Sequence, residues 1–334
     1  MLQLENMIEY LSQNGVIVQQ LTTERNYWFV RTDGGNYFDA YISGGFIGLG
    51  WNEIAFTEPD DKGNYPEEVL KFVEELGHKQ PTRVLNQIKR FYKEMKAGDV
   101  VVIPSTSSLN LAFGYIADDT VYEEKNLTSD DIENGACPYV RRRHIDWITN
   151  IDKARIDPHL YALFRNHQVI SDGNNYSEYI NRVLHTFYIK DNIAHLVFTV
   201  EAKTNPDAVS IPNFILGLID RADCLNQESP FLDSDIYLED EINTRINVQS
   251  PGVIEFIGNP VCVAALAIIS VALFGGKAKF EHTKEKTSGE ISTEGLAGLI
   301  MKVLTFYAKQ KDNNNNRIKK SKQKLDIKDI TDDK

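Results

Sequence analysis

Apolar and polar positions divide the first half of the chain into short strands with helices set among them. Residues 1–18 carry Leu4, Met7, Ile8 and Leu11 at helical spacing and close on Asn14-Gly15. YWFVR (27–31) is aromatic and β-branched, as strands are, and TDGG (32–35) turns the chain. FIGLGW (46–51) is a second strand, with glycines where something approaches closely. Pro66 begins a helix to about Leu76. Pro81 or Thr82 begins another, with Val84, Leu85, Ile88, Phe91, Tyr92 and Met95 on one stripe, ending at Gly98-Asp99. VVVIP (100–104), LAFGYIA (111–117) and YVRRRHIDWI (139–148) complete the strands. Short strands with two inserted helices predict an α+β protein with a small, partly open barrel.

The segment 152–158 reads as a boundary. Beyond it the pattern gives a helix at 176–185, a strand at HLVFTV (195–200) and a helix after Pro212. An acidic loop at 233–241 leads to strands at 244–248 and 253–257, joined through Gln249-Ser250-Pro251-Gly252. Fourteen uncharged residues follow, VCVAALAIISVALF, from Val261 to Phe274. A helix of that length is about 21 Å long at roughly 1.5 Å per residue, short of the roughly 30 Å hydrocarbon core of a bilayer. The run therefore suits a buried core helix or an oligomer interface, with a short or re-entrant membrane insertion as the alternative. Lys277, Lys279, Lys284 and Lys286 after it would face outward in a single span, against the positive-inside tendency. A strand at 277–282 and an amphipathic helix at 296–309 come next, the latter with Leu296, Leu299, Ile300, Val303, Leu304 and Tyr307 on one face. The tail is polar and too poor in large apolar residues to fold alone. The expected division is 1–152, an α+β domain at 153–250, an apolar and amphipathic segment at 251–310, and a disordered tail at 311–334.

Composition narrows the function classes. With 42% hydrophobic and 25% charged residues in 334, the chain is neither disordered, collagenous nor a disulfide scaffold. The net charge of −12 is uneven: 14 Lys+Arg against 23 Asp+Glu over 1–150, 8 against 15 over 151–250, and 14 against 10 over 251–334. An acidic body disfavours nonspecific coating of nucleic acid, so any such binding needs a small local site. Cys137, Cys224 and Cys262 are widely spaced, which predicts free thiols in a reducing compartment. The acidic, amphipathic N-terminus is unlike a secretory signal, so a cytoplasmic location is expected, with inner-membrane association if 261–274 inserts.

The order of the N-terminal pieces resembles a known family. An aromatic strand ending in Arg31, a glycine turn, a short helix with Phe38 and Tyr41, FIGLGW, a helix running into RFYKEMKAGDVVVIPS, then AFGYIADD and YVRRRHIDWI follow one another. Over residues 20–150 this resembles the PUA/EVE-like domain at the N-terminus of Mrr-type restriction proteins and related prokaryotic defence proteins. The resemblance implies a pocket that grips a base, often a modified or flipped one, between aromatic faces and reads its edge with fixed polar groups. Trp28, Phe38, Trp51 and Tyr115 are the candidate stacking surfaces, and Arg31, Asp33, Ser105 and Ser107 the candidate edge contacts. Each aromatic has the core as its alternative, and Trp147 is expected there. Alternate residues of a strand share a face, so Arg141 and Arg143 form a candidate phosphate contact, with pairing to Glu123 or Glu124 as the alternative.

One catalytic pattern competes. Asp191, followed ten positions on by Glu201-x-Lys203, matches the Asp…Glu-x-Lys layout of Mrr-type nucleases, in which two carboxylates hold Mg²⁺ and the lysine positions water. No phosphate loop, HExxH or GxSxG is present, and the seven histidines show no metal-ligand spacing. The expected function is a non-enzymatic sensor of antiphage defence, free of cofactors. It would bind a modified base in nucleic acid or a small nucleotide and act through a membrane- or self-associating C-terminal segment as a homo-oligomer. A Mg²⁺-dependent modification-directed nuclease and a protein-binding scaffold are the alternatives.

Overall fold

The computed structural model describes residues 3–201, 207–233, 236–247, 252–274 and 312–328, together with 298, 300, 301 and 305. The chain forms two compact units, Glu24–Leu184 and a second made of Met1–Thr23 with His185–Lys334. The boundary expected near 152 falls inside the first unit, and the N-terminal helix belongs to the second.

Helix α1 (Leu4–Gln13) and strand β1 (Val18–Leu21) open the chain. The Glu24–Leu184 unit then runs β2 (Tyr27–Val30), α2 (Phe38–Gly44), β3 (Phe46–Leu49), α3 (Glu67–Glu75), α4 (Pro81–Lys89), β4 (Val100–Pro104) and β5 (Asn110–Ile116). β6 (Tyr122–Glu123), α5 (Ser129–Glu133), β7 (Arg141–Asp152), β8 (Ile170–Asp172) and α6 (Ser177–Leu184) complete it. The strands form one curled half-barrel sheet in the order β3-β7-β5-β4-β2-β8, with β6 also on β7. Only β2 and β4 pair in parallel; the other pairs are antiparallel. The curl comes from β7, which pairs with β3 over its first four residues and with β5 over the rest. A register shift at Phe113/Gly114 bends it further, where the missing side chain of Gly114 leaves room for Ile145 and Trp147.

Strand alternation gives this sheet two buried faces. Val101, Ile103, Ala112 and Ile116 join Trp28, Phe38 and the apolar stripe of α4 on one side. Val100, Val102, Leu111 and Phe113 join Tyr27, Phe29, Leu160 and Ile180 on the other. Residues 153–184 therefore close the second face of the barrel sheet, which is why the unit extends beyond 152.

In the second unit, β9 (Phe187–Lys190), β10 (Ile193–Val200), β11 (Ile242–Asn247) and β12 (Gly252–Gly258) join β1 in the order β1-β9-β10-β12-β11. β1 is parallel to β9, which ties the N-terminus to this unit. Helices α7 (Ser210–Glu228) and α8 (Pro260–Phe274) pack with α1 in a single core. Every residue of α8 from Cys262 through Ile269 has no exposed surface. The apolar run is thus short because it crosses a domain core, with 262–271 and Leu273 buried and Val261, Ala272 and Phe274 packed against that core. No helix among the described residues is long and apolar enough to cross a membrane.

The tail expected to be disordered is folded in part. α9 (Asp312–Leu325) turns Ile318, Ser321 and Leu325 inward, and Ile318 sits where any side chain at Gly217 would stand. Ile327 then forms a bridge to Val200, on a stretch of β10 that the shorter β9 leaves unpaired. The few apolar residues of the tail bury nothing alone, but each adds to an existing core. The strand expected at 277–282 and most of the helix expected at 296–309 lie outside the described residues; Ile300 is buried.

Candidate functional site

The expected pocket residues do not converge on one cavity. Trp28 is buried, its Nε1 donating to Asp99 Oδ2 at 2.8 Å, and Phe38 is in the same core. Tyr115 lies on the opposite face of the sheet, half-buried beneath the Arg25 guanidinium, where burial pushes its hydroxyl above the usual range. Ser105 Oγ accepts from the Asn110 amide at 2.8 Å and closes the β4–β5 turn. Ser107 and Asp33 are exposed turn residues with left-handed backbones, φ 56° and 54°. What approaches Gly48 and Gly50 closely is the chain's own Tyr139.

The arginines of β7 are structural. Arg143 is fully buried and donates to main-chain carbonyls: Phe91 at 2.7 Å, and Tyr92 and Asp118 at 3.3 Å. Two of those carbonyls belong to the wide turn 90–94 that ends the α4 helix, where the Met95 amide reaches back to Arg90 O. Arg143 therefore caps a helix C-terminus, at the negative end of its dipole. Burial lowers its pKa from the ordinary value. Arg141 shares that strand face, as the alternation predicts, but donates to Trp51 O at 3.3 Å, Asn52 O at 3.2 Å and Ile54 O. Neither guanidinium is available to a phosphate. The acid pairing falls to Arg142, which reaches Glu124 at 3.2 Å and lies over the Phe46 ring.

These arginines nevertheless build a site. Trp51 has a φ of 61°, a conformation that bulky side chains avoid, and Arg141 holds the backbone there. The Trp51 ring is half-buried, edge-on to His78, and lines a cavity of about 290 Å³. That cavity shares Gln80, Arg83, Gln87 and Gln168 with a neighbouring one of about 490 Å³ along the first turns of α4. Together they make a cleft between Trp51, α4 and residues 166–169. The far wall is pinned by Arg31, whose guanidinium donates to Asn166 O and Phe164 O at 2.5–3.0 Å. Arg90 reinforces it through Gln168 Oε1 at 3.1 Å and Ile170 O at 2.7 Å, with its guanidinium over Trp28.

The chemistry of the lining is one-sided. Lys79, Arg83 and Arg90 line the cleft and no carboxylate does. Lys79 and Arg83 have no acidic partner among the described residues. Gln87 is 3% exposed, and its Oε1 accepts from the Ile170 amide at 2.7 Å. An amide N–H can only donate, so that bond fixes the side-chain orientation. Nε2 is left facing the cleft without a partner among the described residues. It is not among the sealed, unsatisfied atoms, so it stays open to a ligand. Of the expected residues, Trp51 lines the cleft, Arg31 pins its wall and Arg141 props Trp51. His78, Gln80, Arg83, Gln87 and Gln168 were missed by sequence reasoning. One signal for them existed: Gln87 interrupts the apolar stripe Val84, Leu85, Ile88, Phe91 at a buried position.

The carboxylates of the nuclease pattern are separated. Asp191 and Asn192 form the β9–β10 turn, with φ 52° and 60°, and Glu201 follows the far end of β10. Eight strand residues at about 3.3 Å each put roughly 26 Å between them, whereas a shared Mg²⁺ needs both within about 2.1 Å. Glu201 instead pairs with Lys328 at 3.2 Å. Lys203 lies outside the described residues. Among the described residues no three His, Cys, Asp or Glu side chains converge as metal ligands.

Residues 28–169 match the model of a family described as a domain of unknown function, DUF8426. That match runs from within β2 to the wall segment of the cleft and includes every lining residue named above. No curated protein and no solved structure matches the chain.

Proposed function

We propose that the Glu24–Leu184 unit is a binding module for a nucleobase-bearing ligand, seated in the cleft between Trp51, α4 and residues 166–169. The observation that carries this reading is Trp51 itself: a large aromatic in a left-handed backbone, held there by a buried arginine at the rim of an acid-free cleft. Such strain costs about 1–3 kcal/mol and persists where the surroundings enforce it, which makes it a pointer to function. A base stacked on an aromatic face gains about 1–3 kcal/mol. Gln87 Nε2 is placed to donate to an acceptor on the ligand's edge, and the Gln80 and Gln168 side chains supply further polar contacts. The antiphage setting rests on the resemblance to Mrr-type N-terminal domains, with the second unit as the part that transmits binding.

The test uses Trp51→Gly. Glycine adopts φ 61° freely, so the variant keeps its fold and loses the stacking face. Calorimetric titration with nucleosides should show binding to the wild-type chain and at least a tenfold loss in the variant. Equal affinities would remove Trp51 from the site.

A further inference from the structure

The electrostatics of the cleft go a step further than a base site. We propose that its ligand is a small, free nucleotide bearing a terminal phosphate rather than a base within a nucleic-acid strand, and that Arg83 and Lys79 at the start of α4 take the phosphate. This rests on the base-binding reading of Trp51 and specifies the rest of the molecule bound.

Three observations converge. The first is charge: Lys79 and Arg83 stand without acidic partners on the cleft wall, while the nearby Lys89 and Lys93 are engaged by Glu94 and Glu58. The second is the helix. α4 has nine residues, begins with Pro81 and has no side-chain cap on its first turn, and Gln80, Pro81 and Thr82 line the larger cavity. Pro81 has no N–H and the Arg83 and Val84 amides donate to Gln80 O, so the Thr82 amide and the positive dipole end are what favour an anion there. The third is independent of charge: Gln87, 3% exposed, holds its Nε2 toward the same cleft with no partner among the described residues. The atom is not sealed from the cleft, so an acceptor on the ligand can take the place of water there.

The surroundings argue against a polymer. Residues 53–75, which lead into the cleft, carry eight Asp or Glu against Lys62 and Lys71. The whole Glu24–Leu184 unit has 18 Lys+Arg against 25 Asp+Glu, a net of −7, and Arg141, Arg142, Arg143 and Arg182 are buried. A strand gains affinity by placing successive phosphates on successive cations, and a unit of net charge −7 with four buried arginines offers few of them. A free nucleotide needs one cationic pair, which is what the cleft has.

The experiment titrates the full chain with the four nucleoside 5′-monophosphates, the matching nucleosides, and 12-nucleotide single strands of DNA and RNA. A monophosphate should bind at least tenfold tighter than its nucleoside and than either strand, with affinity falling as salt rises. In Arg83→Gln/Lys79→Gln the advantage of the monophosphate over its nucleoside should fall from at least tenfold to below about twofold. Nucleoside and monophosphate binding equally to the wild type would overturn the phosphate site and leave the base site standing. Tighter binding of a strand would overturn the small-ligand assignment. Absence of binding by every probe would overturn both.

Discussion

At Arg143 a charge is kept in the interior by main-chain carbonyls rather than by acids. Hydrogen bonds to a charged group are worth about 1.5–3 kcal/mol, and leaving the carbonyls of Phe91 and Tyr92 unmet adds to the loss. Arg143→Met should therefore lower unfolding stability by about 3 kcal/mol in urea titration. Arg143→Lys should recover little, because one ammonium cannot span three carbonyls in a fixed fork. Trp51→Gly relieves backbone strain but loses the packing of the ring against the core, two opposed effects of about 1 kcal/mol each, so stability should change little while ligand binding is lost. The sharing of a face by Arg141 and Arg143 was readable from strand alternation. What the two side chains reach was not, because their carbonyl partners come from loops and a helix end distant in sequence.

Among the elements, those that follow one another in the barrel sheet were readable from local pattern: α3, the α4 stripe, and β2 through β5 with β7 fall where apolar periodicity puts them. Elements defined by a distant partner were not. α8 has the composition of a membrane segment, and only the helices and strands around it make it a core helix. Burial raises the Cys262 thiol to about 12, so almost none is thiolate at pH 8. Alkylation at that pH followed by mass spectrometry should modify Cys224 first and reach Cys262 and Cys137, also buried, only on unfolding. Composition alone makes α9 read as a disordered tail, because its polar residues outnumber the apolar ones that anchor it. Ending the chain at 311 should destabilise the second unit by several kcal/mol, since Ile318, Leu325 and Ile327 leave its core together. A truncated chain that unfolds at the same urea concentration would show that α9 contributes nothing.

The chain is acidic and forms two units, and the cleft in the first is lined by no carboxylate. Its division could not be seen locally, because the parallel pairing of β1 with β9 joins the first residues to a sheet built after residue 184. The cleft is half visible in the sequence: Trp51 belongs to the expected pocket, while the amides and cations of α4 that line it lie off the apolar stripe and carry no motif. The central claim is that a ligand stacks on Trp51, and the three tryptophans allow a direct test. The indole N–H of Trp28 donates to Asp99 and that of Trp147 to Tyr41 O, both inside the fold. That of Trp51 has no partner among the described residues. A ¹H–¹⁵N spectrum of the full chain, with the three indole signals assigned by single substitution, would be followed during titration with nucleoside monophosphates. The account predicts that the Trp51 signal moves by ring-current shift while the other two stay in place. A ligand that binds and leaves the Trp51 signal unmoved would contradict it.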